Sequence, residues 1–329
     1  MDFSKIIQII NSNDSFLITT HVNPDADAIG SEMGFYYLIR KLNKSAKIIN
    51  YSKIPYYLEF SDPDNVIEKF DAVSHSKLFD EADVLVALDF QQLSRISEMQ
   101  DLFRNSSKIK LCIDHHEFPE NFTENLFVDP SYASTGEMVF DLISEMKIDF
   151  DFQIAESLYA AIMTDTGSFR YDRTTSETHL RIAKLLETGI NPNQIYKEIY
   201  DQGSLGKLNL LGSSLLSMKF DKSNQIAYMK ITKDDLMKTN TSVEDTEGFV
   251  NYCLTIKGIK VGLLFFETET GFKASLRSVG KIPVNRIAAE YGGGGHMNAA
   301  GLRIDVAKIE DYEEKIIDRI SQYLKGMEV

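Results

Sequence analysis

Four short stretches of the chain concentrate aspartate and histidine: His21-Val22-Asn23-Pro24-Asp25-Ala26-Asp27, the single Asp89, Asp114-His115-His116, and Asp165 within Met163-Thr164-Asp165-Thr166-Gly167. Gathered in one place, Asp25, Asp27, Asp89 and Asp165 bring about four negative charges together, and carboxylates that close raise one another's pKa and destabilise the fold. Two divalent cations supply the balancing charge. Mixed carboxylate and imidazole ligands suit Mn, Fe or Co better than Ca, with Zn also open. An aspartate shared between two ions is a common way to build a clamp for phosphoryl transfer. Taken singly, a strand-end Asp is a turn or cap residue, and a lone His belongs to the surface or the core. His75 and His179 are read that way. An HxxxDxD and a DHH at sheet ends, with two further aspartates, are hard to assign to caps together.

The elements that must position these groups are legible upstream of them. Apolar strands are expected at residues 16–20, 46–50, 84–88 and 109–113, with helices at 28–42, 153–163 and 175–188. Near-continuous apolar strands alternating with helices point to a parallel sheet covered on both faces. In such sheets, ligands bind beyond the carboxyl ends of the strands, where His21, Asp89 and Asp114 fall. The helix at 175 opens on Thr174-x-x-Glu177, read as a capping box, and stops at Gly189. Asp165 is placed where an apolar helix gives way to a loop.

Glycines and polar residues over 189–212 mark a linker. Beyond it strands are expected at 225–231, 259–268 and 272–278, with Thr268-Glu269-Thr270-Gly271 as a hairpin turn. A helix with Pro283 near its first turn runs toward Tyr291 and ends in four glycines. A last helix, 308–324, aligns Ile309, Tyr312, Ile316, Ile317, Ile320 and Tyr323 on one face. Consecutive glycines let backbone N–H groups turn toward an anion, and Arg277 and His296 could add charged contacts to phosphate. The plain reading of the same glycines is a helix stop before a strand at 302–305.

Length and composition bound the rest. The 329 residues are 43% hydrophobic and 26% charged, which excludes a disordered, collagen-like or disulfide-scaffold chain. Lys and Arg total 35 against 49 Asp and Glu, a net charge of −14, and no basic run appears, so long duplex nucleic acid is a poor partner. No stretch approaches a membrane span, and the N-terminus lacks the features of a signal peptide. Cys112 and Cys253 sit in apolar contexts and are read as free thiols of a cytoplasmic protein.

These motifs resemble the DHH phosphoesterase superfamily. The matching stretches are HVNPDADAIGS at 21–31, VALDF at 86–90, IDHHEFPENF at 113–122, STGEMVFDLI at 134–143 and TDTGSFRYDRTT at 164–175. GGGGHMNAAG at 292–301 is similar to the mark of the subclass with a DHHA1-type second domain, and within it the chain looks like the short oligoribonuclease and pAp-phosphatase proteins. The resemblance implies an α/β fold: a DHH domain over 1–188 with a mostly parallel sheet covered by helices, a linker at 189–212, and a smaller α/β DHHA1 domain over 213–329. It implies two metal ions, most commonly Mn2+, with His21 and Asp25 on one, Asp27 and His115 on the other, and Asp89 and Asp165 serving both or completing either. His116 matches the histidine near the scissile phosphate, with Asp114 supporting it. Ser275, Arg277, Ser278, Gly293, Gly294, Gly295 and His296 match the substrate-holding side. The second domain would then hold the nucleotide's far end, with the linker as a hinge.

What the resemblance leads us to expect is two-metal hydrolysis of very short RNA, linear dinucleotides such as pApA, or 3′-phosphoadenosine 5′-phosphate, by a homodimer. The chain has no room for the extra domains of long-chain exonucleases, and its glycine–His ending speaks against inorganic pyrophosphatases. A cyclic-dinucleotide phosphodiesterase is the alternative. A non-catalytic RNA-binding protein is the competing class, against which the complete set of carboxylates and histidines argues.

Overall fold

Why β4 (Val84–Leu88) forms is plain from its residues: five apolar side chains in a row, all buried. It lies at the centre of a sheet with β1 (Ser15–Thr19), β2 (Ser45–Asn50), β3 (Ile67–Lys69), β5 (Ile109–Asp114) and β6 (Leu126–Val128). A computed structural model describes residues 2–327 of the chain, and in it this sheet runs β3-β2-β1-β4-β5-β6 with every neighbouring pair parallel. Alternate residues feed two cores. Phe16, Ile18, Val84, Val86 and Leu88 pack against the helices Ala26–Lys41, Thr135–Glu145 and Phe152–Asp165 on one face. Leu17, Leu85, Ala87 and Cys112 meet Phe79, Phe90 and Phe103 on the other. The strand order reverses direction between β1 and β4, and the crevice beyond the carboxyl ends of two such strands is where an open parallel sheet takes its ligand.

Helix Ala26–Lys41, which leaves β1, crosses helix Phe152–Asp165 almost backbone to backbone. A Cβ added at Gly30 would lie 2.3 Å from the Ser157 carbonyl oxygen and 2.9 Å from the Ala161 Cβ. Gly30→Ala is therefore expected to cost about 1–3 kcal/mol through overpacking, a fall of roughly 5 °C in Tm. Gly212→Ala is the matched control, because nothing lies within 4 Å of that position. It should hold or raise Tm through helix propensity. Equal melting temperatures for wild type and Gly30→Ala, followed by circular dichroism, would contradict the close crossing.

Several boundaries differ from the sequence reading. The 28–42 helix begins at Ala26. The 153–163 helix starts at Phe152 and continues to Asp165, so that carboxylate is the last helical residue before the loop. The capping box expected from Thr174 and Glu177 is formed instead by Thr175 and Thr178, each side chain bonding the other's backbone N–H. The short edge strands β3 and β6 and the helix Thr135–Glu145 had not been identified as elements.

The chain divides into two units between Gln202 and Gly203. Residues 189–212, read as a linker, hold two helices. Pro192–Tyr200 buries Ile195 in the first unit's core, and Leu205–Leu216 buries Leu210 in the second unit's.

The second unit is built on β7 (Lys219–Phe220), β8 (Ile226–Ile231), β9 (Val261–Glu267), β10 (Gly271–Ser278), β11 (Gly294–His296) and β12 (Ala299–Asp305), in the order β11-β12-β10-β9-β8-β7. Only β8 and β9 pair in parallel. The β9–β10 turn closes with Thr268 N–H donating to the Gly271 carbonyl at 2.8 Å, as the hairpin signal predicts. β10 alternates strictly. Phe272, Ala274 and Leu276 enter the core under helices Val284–Glu290 and Glu313–Met327, while Lys273, Ser275 and Arg277 point the other way. The expected 308–324 helix is broken at Tyr312, a 3-10 turn at Ile309–Asp311 preceding helix Glu313–Met327. The glycines read as a helix stop, or as a run whose N–H groups turn toward an anion, are partly strand, Gly294–His296 pairing with Ala299–Gly301. Gly293 and Gly295 let that pair close, since a Cβ would come within 2.1 Å of the Gly301 oxygen and 2.4 Å of the Ala299 oxygen. Each unit carries one buried free cysteine, Cys112 and Cys253. Among the described residues no helix is long and apolar enough to cross a membrane.

Candidate metal centre

The carboxyl ends of β1, β2 and β4 are tied together before any ligand leaves them. Thr20 donates its hydroxyl to the Leu88 carbonyl at 2.8 Å and its N–H to Asn50 Oδ1 at 3.1 Å. Asn50 Nδ2 in turn donates to Glu32 at 2.7 Å. Glu32 is fully buried, and its other oxygen has no partner. Burial, with Asp89 and Asp62 nearby, pushes its carboxyl well above the ordinary range. This brace fixes the residues on which His21 and Asp89 are mounted.

His21 follows Thr20 and brings Nε2 to 3.5 Å from Asp89 Oδ2. Asp25 caps helix Ala26–Lys41 by accepting from Ala28 N–H, and it remains exposed. Asp27, in the first turn of that helix, is buried and held by both oxygens: Thr135 N–H donates at 2.8 Å and Gly136 N–H at 2.9 Å. These amides open helix Thr135–Glu145, so a helix N-terminus faces a carboxylate. Asp89 has a left-handed backbone, φ 62°, which aspartate tolerates better than most residues. Its Oδ1 accepts from the Thr135 hydroxyl at 2.8 Å. His115 Nε2 stands 3.3 Å from Asp165, 3.7 Å from Asp27 and 3.7 Å from Asp89. Its Nδ1 lies 3.4 Å from the Tyr132 carbonyl. That loop is steadied by Arg181, which grips Asp141 with two bonds and lies over the Tyr132 ring.

Three overlapping groups result: His21 with Asp25 and Asp89; Asp27 with His115 and Asp165; and Asp89 with His115 and His116. The ligating atoms within each group lie within 4.8 Å of one another. All six residues expected to bind metal, and His116, fall in these groups. Burial and then the neighbouring carboxylates push Asp27 and Asp165 well above the usual range. Buried, mutually repelling oxygens beside imidazole nitrogens fit divalent cations, which would remove that repulsion. His116 Nδ1 bonds Asp114 Oδ1 at 2.6 Å. Burial works against its charged form, but the Asp114 bond and the charges of Asp89, Asp114 and Asp165 prevail and raise its pKa to about 9.

In the second unit, His296 and Arg277 both pair with Ala299, from opposite sides of β12. Cross-strand partners share a face, so the two side chains lie on one face of the sheet with backbones roughly 10 Å apart. Ser275 and Gly294 flank Gly301 in the same way. Ser278 falls on the other face and is occupied structurally: its hydroxyl donates to the Ile282 carbonyl and accepts from Asn298. Thr135, Gly136, Asn50 and Glu32 were not singled out in the sequence. Thr135 and Gly136 lie in the quoted STGEMVFDLI stretch; Asn50 and Glu32 sit in apolar runs and carry no local signal.

The model of the DHH family N-terminal domain matches residues 15–162, and the DHHA1 domain model matches residues 223–326. The chain is 29% identical over 314 residues, 93% of its length and 89% of the relative's, to a Thermus thermophilus protein named bifunctional oligoribonuclease and PAP phosphatase NrnA. It is 27% identical over 304 residues, 92% of its length and 93% of the relative's, to the Bacillus subtilis protein of that name. A crystal structure of an exopolyphosphatase-related protein from Bacteroides fragilis superposes with a TM-score of 0.93 at 36% identity, covering 99% of this chain and 96% of that one. With a metal-fitting cluster in its first unit and both domain models matched in order, the chain belongs to the DHH family of proteins that carry a DHHA1 domain.

Proposed function

We propose that this protein is a two-metal, Mn2+-dependent phosphoesterase that hydrolyses very short RNA, linear dinucleotides such as pApA, or 3′-phosphoadenosine 5′-phosphate. The observation that carries the reading is the set of overlapping Asp and His groups at the point where the strand order reverses. The names of the relatives support the substrate class. Bound divalent ions supply charge balance and lower the pKa of water near phosphorus. The chain's own residues do the rest. The Thr135 hydroxyl and the Thr135 and Gly136 amides hold Asp89 and Asp27 in place. His116, oriented by its bond to Asp114, is placed to stabilise the phosphoryl oxygens and, in its protonated form, to hand a proton to the leaving oxygen. Ser275, Arg277, His296 and the amides of Gly294 and Gly295 are proposed as substrate-binding groups; the Ser278 hydroxyl, on the other face, and the Gly293 amide, which donates to the Ala288 carbonyl at 2.9 Å, are held within the fold instead. A homodimer and a cytoplasmic location, in keeping with two free thiols, complete the proposal.

The test is turnover of pApA, pAp, a short RNA and cyclic di-AMP by one Mn-loaded preparation whose metal content is measured. The linear substrates are expected to exceed the cyclic one by at least about tenfold in kcat/KM, roughly 1.4 kcal/mol of transition-state preference. Faster turnover of cyclic di-AMP would overturn the substrate assignment. Tight RNA binding without hydrolysis would overturn the catalytic one.

A further inference from the structure

Phe118 stands two residues beyond His116 and has no part in the chemistry above. It is 74% exposed, and its backbone adopts φ 63°, the left-handed region that a bulky side chain occupies at a cost of about 1–3 kcal/mol. Pro119 follows and restricts it further, because a proline ring crowds the residue before it. Burial of the ring does not offset that cost. The loop is nevertheless pinned on both sides of Phe118. Gln91 Nε2 donates to the Glu117 carbonyl at 3.0 Å, and Glu120 N–H donates to the Gln91 carbonyl at 2.8 Å. The Glu120 carboxylate accepts from Leu93 N–H at 3.0 Å and pairs with Arg104 at 2.7 Å. A strained residue on a fixed loop is presented, not left over.

Its place is the rim of the acidic cluster. Two residues of chain span at most about 7 Å, so the Phe118 Cα lies within that distance of the His116 Cα. Glu117, between them, pairs at 3.8 Å with Arg173, on the segment that leaves Asp165. A single ring is far too small for a protein interface, which needs about 1,000 Å². It is the right size for one nucleobase.

We propose that Phe118 is a stacking platform on which one base of the substrate lies while the adjoining phosphate sits at His116. The proposal rests on the nucleotide reading above and extends it: every base has a flat face, so the platform accepts short oligonucleotides with little regard to sequence. Stacking on an aromatic side chain contributes enough that its loss raises KM about tenfold.

The experiment compares wild type, Phe118→Leu and Phe118→Trp in the full chain. Phe118→Leu is expected to raise KM for pApA about tenfold with kcat within about twofold, and Phe118→Trp to restore it. On dinucleotides made abasic at one position or the other, one of the two should erase the difference between the Leu variant and wild type. Equal kcat/KM for pApA in all three proteins overturns the platform, and so does an equal loss on both abasic substrates. A 2-aminopurine dinucleotide gives a second readout, its fluorescence quenched by wild type and Phe118→Trp but not by Phe118→Leu. If wild type hydrolyses no nucleotide, the functional reading fails, while the quench still decides the platform; no quench with wild type overturns it.

Discussion

Asp89→Ala is expected to lower kcat/KM by roughly 10³-fold or more while leaving the protein folded. Asp89 belongs to two of the three metal-fitting groups and sits at the end of β4, where the sheet reverses its order. Its left-handed backbone and the Thr135 hydroxyl aim the carboxylate at His21 and His115. No neighbouring side chain can replace an oxygen mounted that way. The same substitution removes one negative charge from a cluster whose other members already repel one another. The metal-free variant should therefore melt no lower than the metal-free wild type. Elemental analysis, steady-state kinetics and thermal melts on one preparation check all three parts. A variant that keeps both its metal and its rate would remove Asp89 from the centre.

Divalent metal should reverse the way stability responds to pH. Asp27, Asp165 and Glu32 have carboxyls raised above their ordinary range, first by burial and then by nearby charge. A raised carboxyl favours the folded state fully below its unfolded pKa, about 4, and that contribution disappears as pH climbs through the folded value. His116 acts in the same direction, contributing fully below the ordinary histidine pKa of about 6.5 and losing the contribution as pH passes about 9. In chelator, Tm is expected to fall steadily from mildly acidic to mildly alkaline pH. Saturation with Mn2+ compensates the ionised aspartates, leaving only Glu32 among these carboxyls to oppose high pH. At a hundredfold excess over Kd each bound ion adds about 2.7 kcal/mol, or roughly 5–10 °C. Melts from pH 5 to pH 8 with and without chelator measure it, and coincident curves would argue against a metal centre in this cluster.

The centre was legible where its chemistry coincides with strand ends. His21, Asp89, Asp114, His115 and His116 follow apolar runs directly, so periodicity alone put them on one edge of a parallel sheet. Asp165 was read at the point where an apolar helix gives way to a loop, and it is the last residue of that helix; only the helix end was set two residues short, because the apolar pattern fades after Met163 while Thr166 N–H still bonds the Ile162 carbonyl. What stayed hidden depends on partners far away in sequence. Nothing near Asp27 announces that amides at 135 and 136 hold it, or that Asn50 links Glu32 to Thr20. The glycine run was read for its freedom. Its actual use, close approach of β11 to β12, is set by Gly301 and Ala299 and cannot be seen from the glycines alone. Strands of three residues, such as β3 and β6, are too short to show a period.

The placement of the cysteines has a practical consequence. Cys112 lies fully buried in β5, and Cys253 is fully buried beneath β9; burial raises both thiols, the latter to about 11. Neither is a ready nucleophile in the native state. Alkylating reagents must wait for an opening event, and the two labelling sites report on different halves of the polypeptide. Pulse alkylation read by mass spectrometry would thus time the transient unfolding of each half separately within one unmodified molecule.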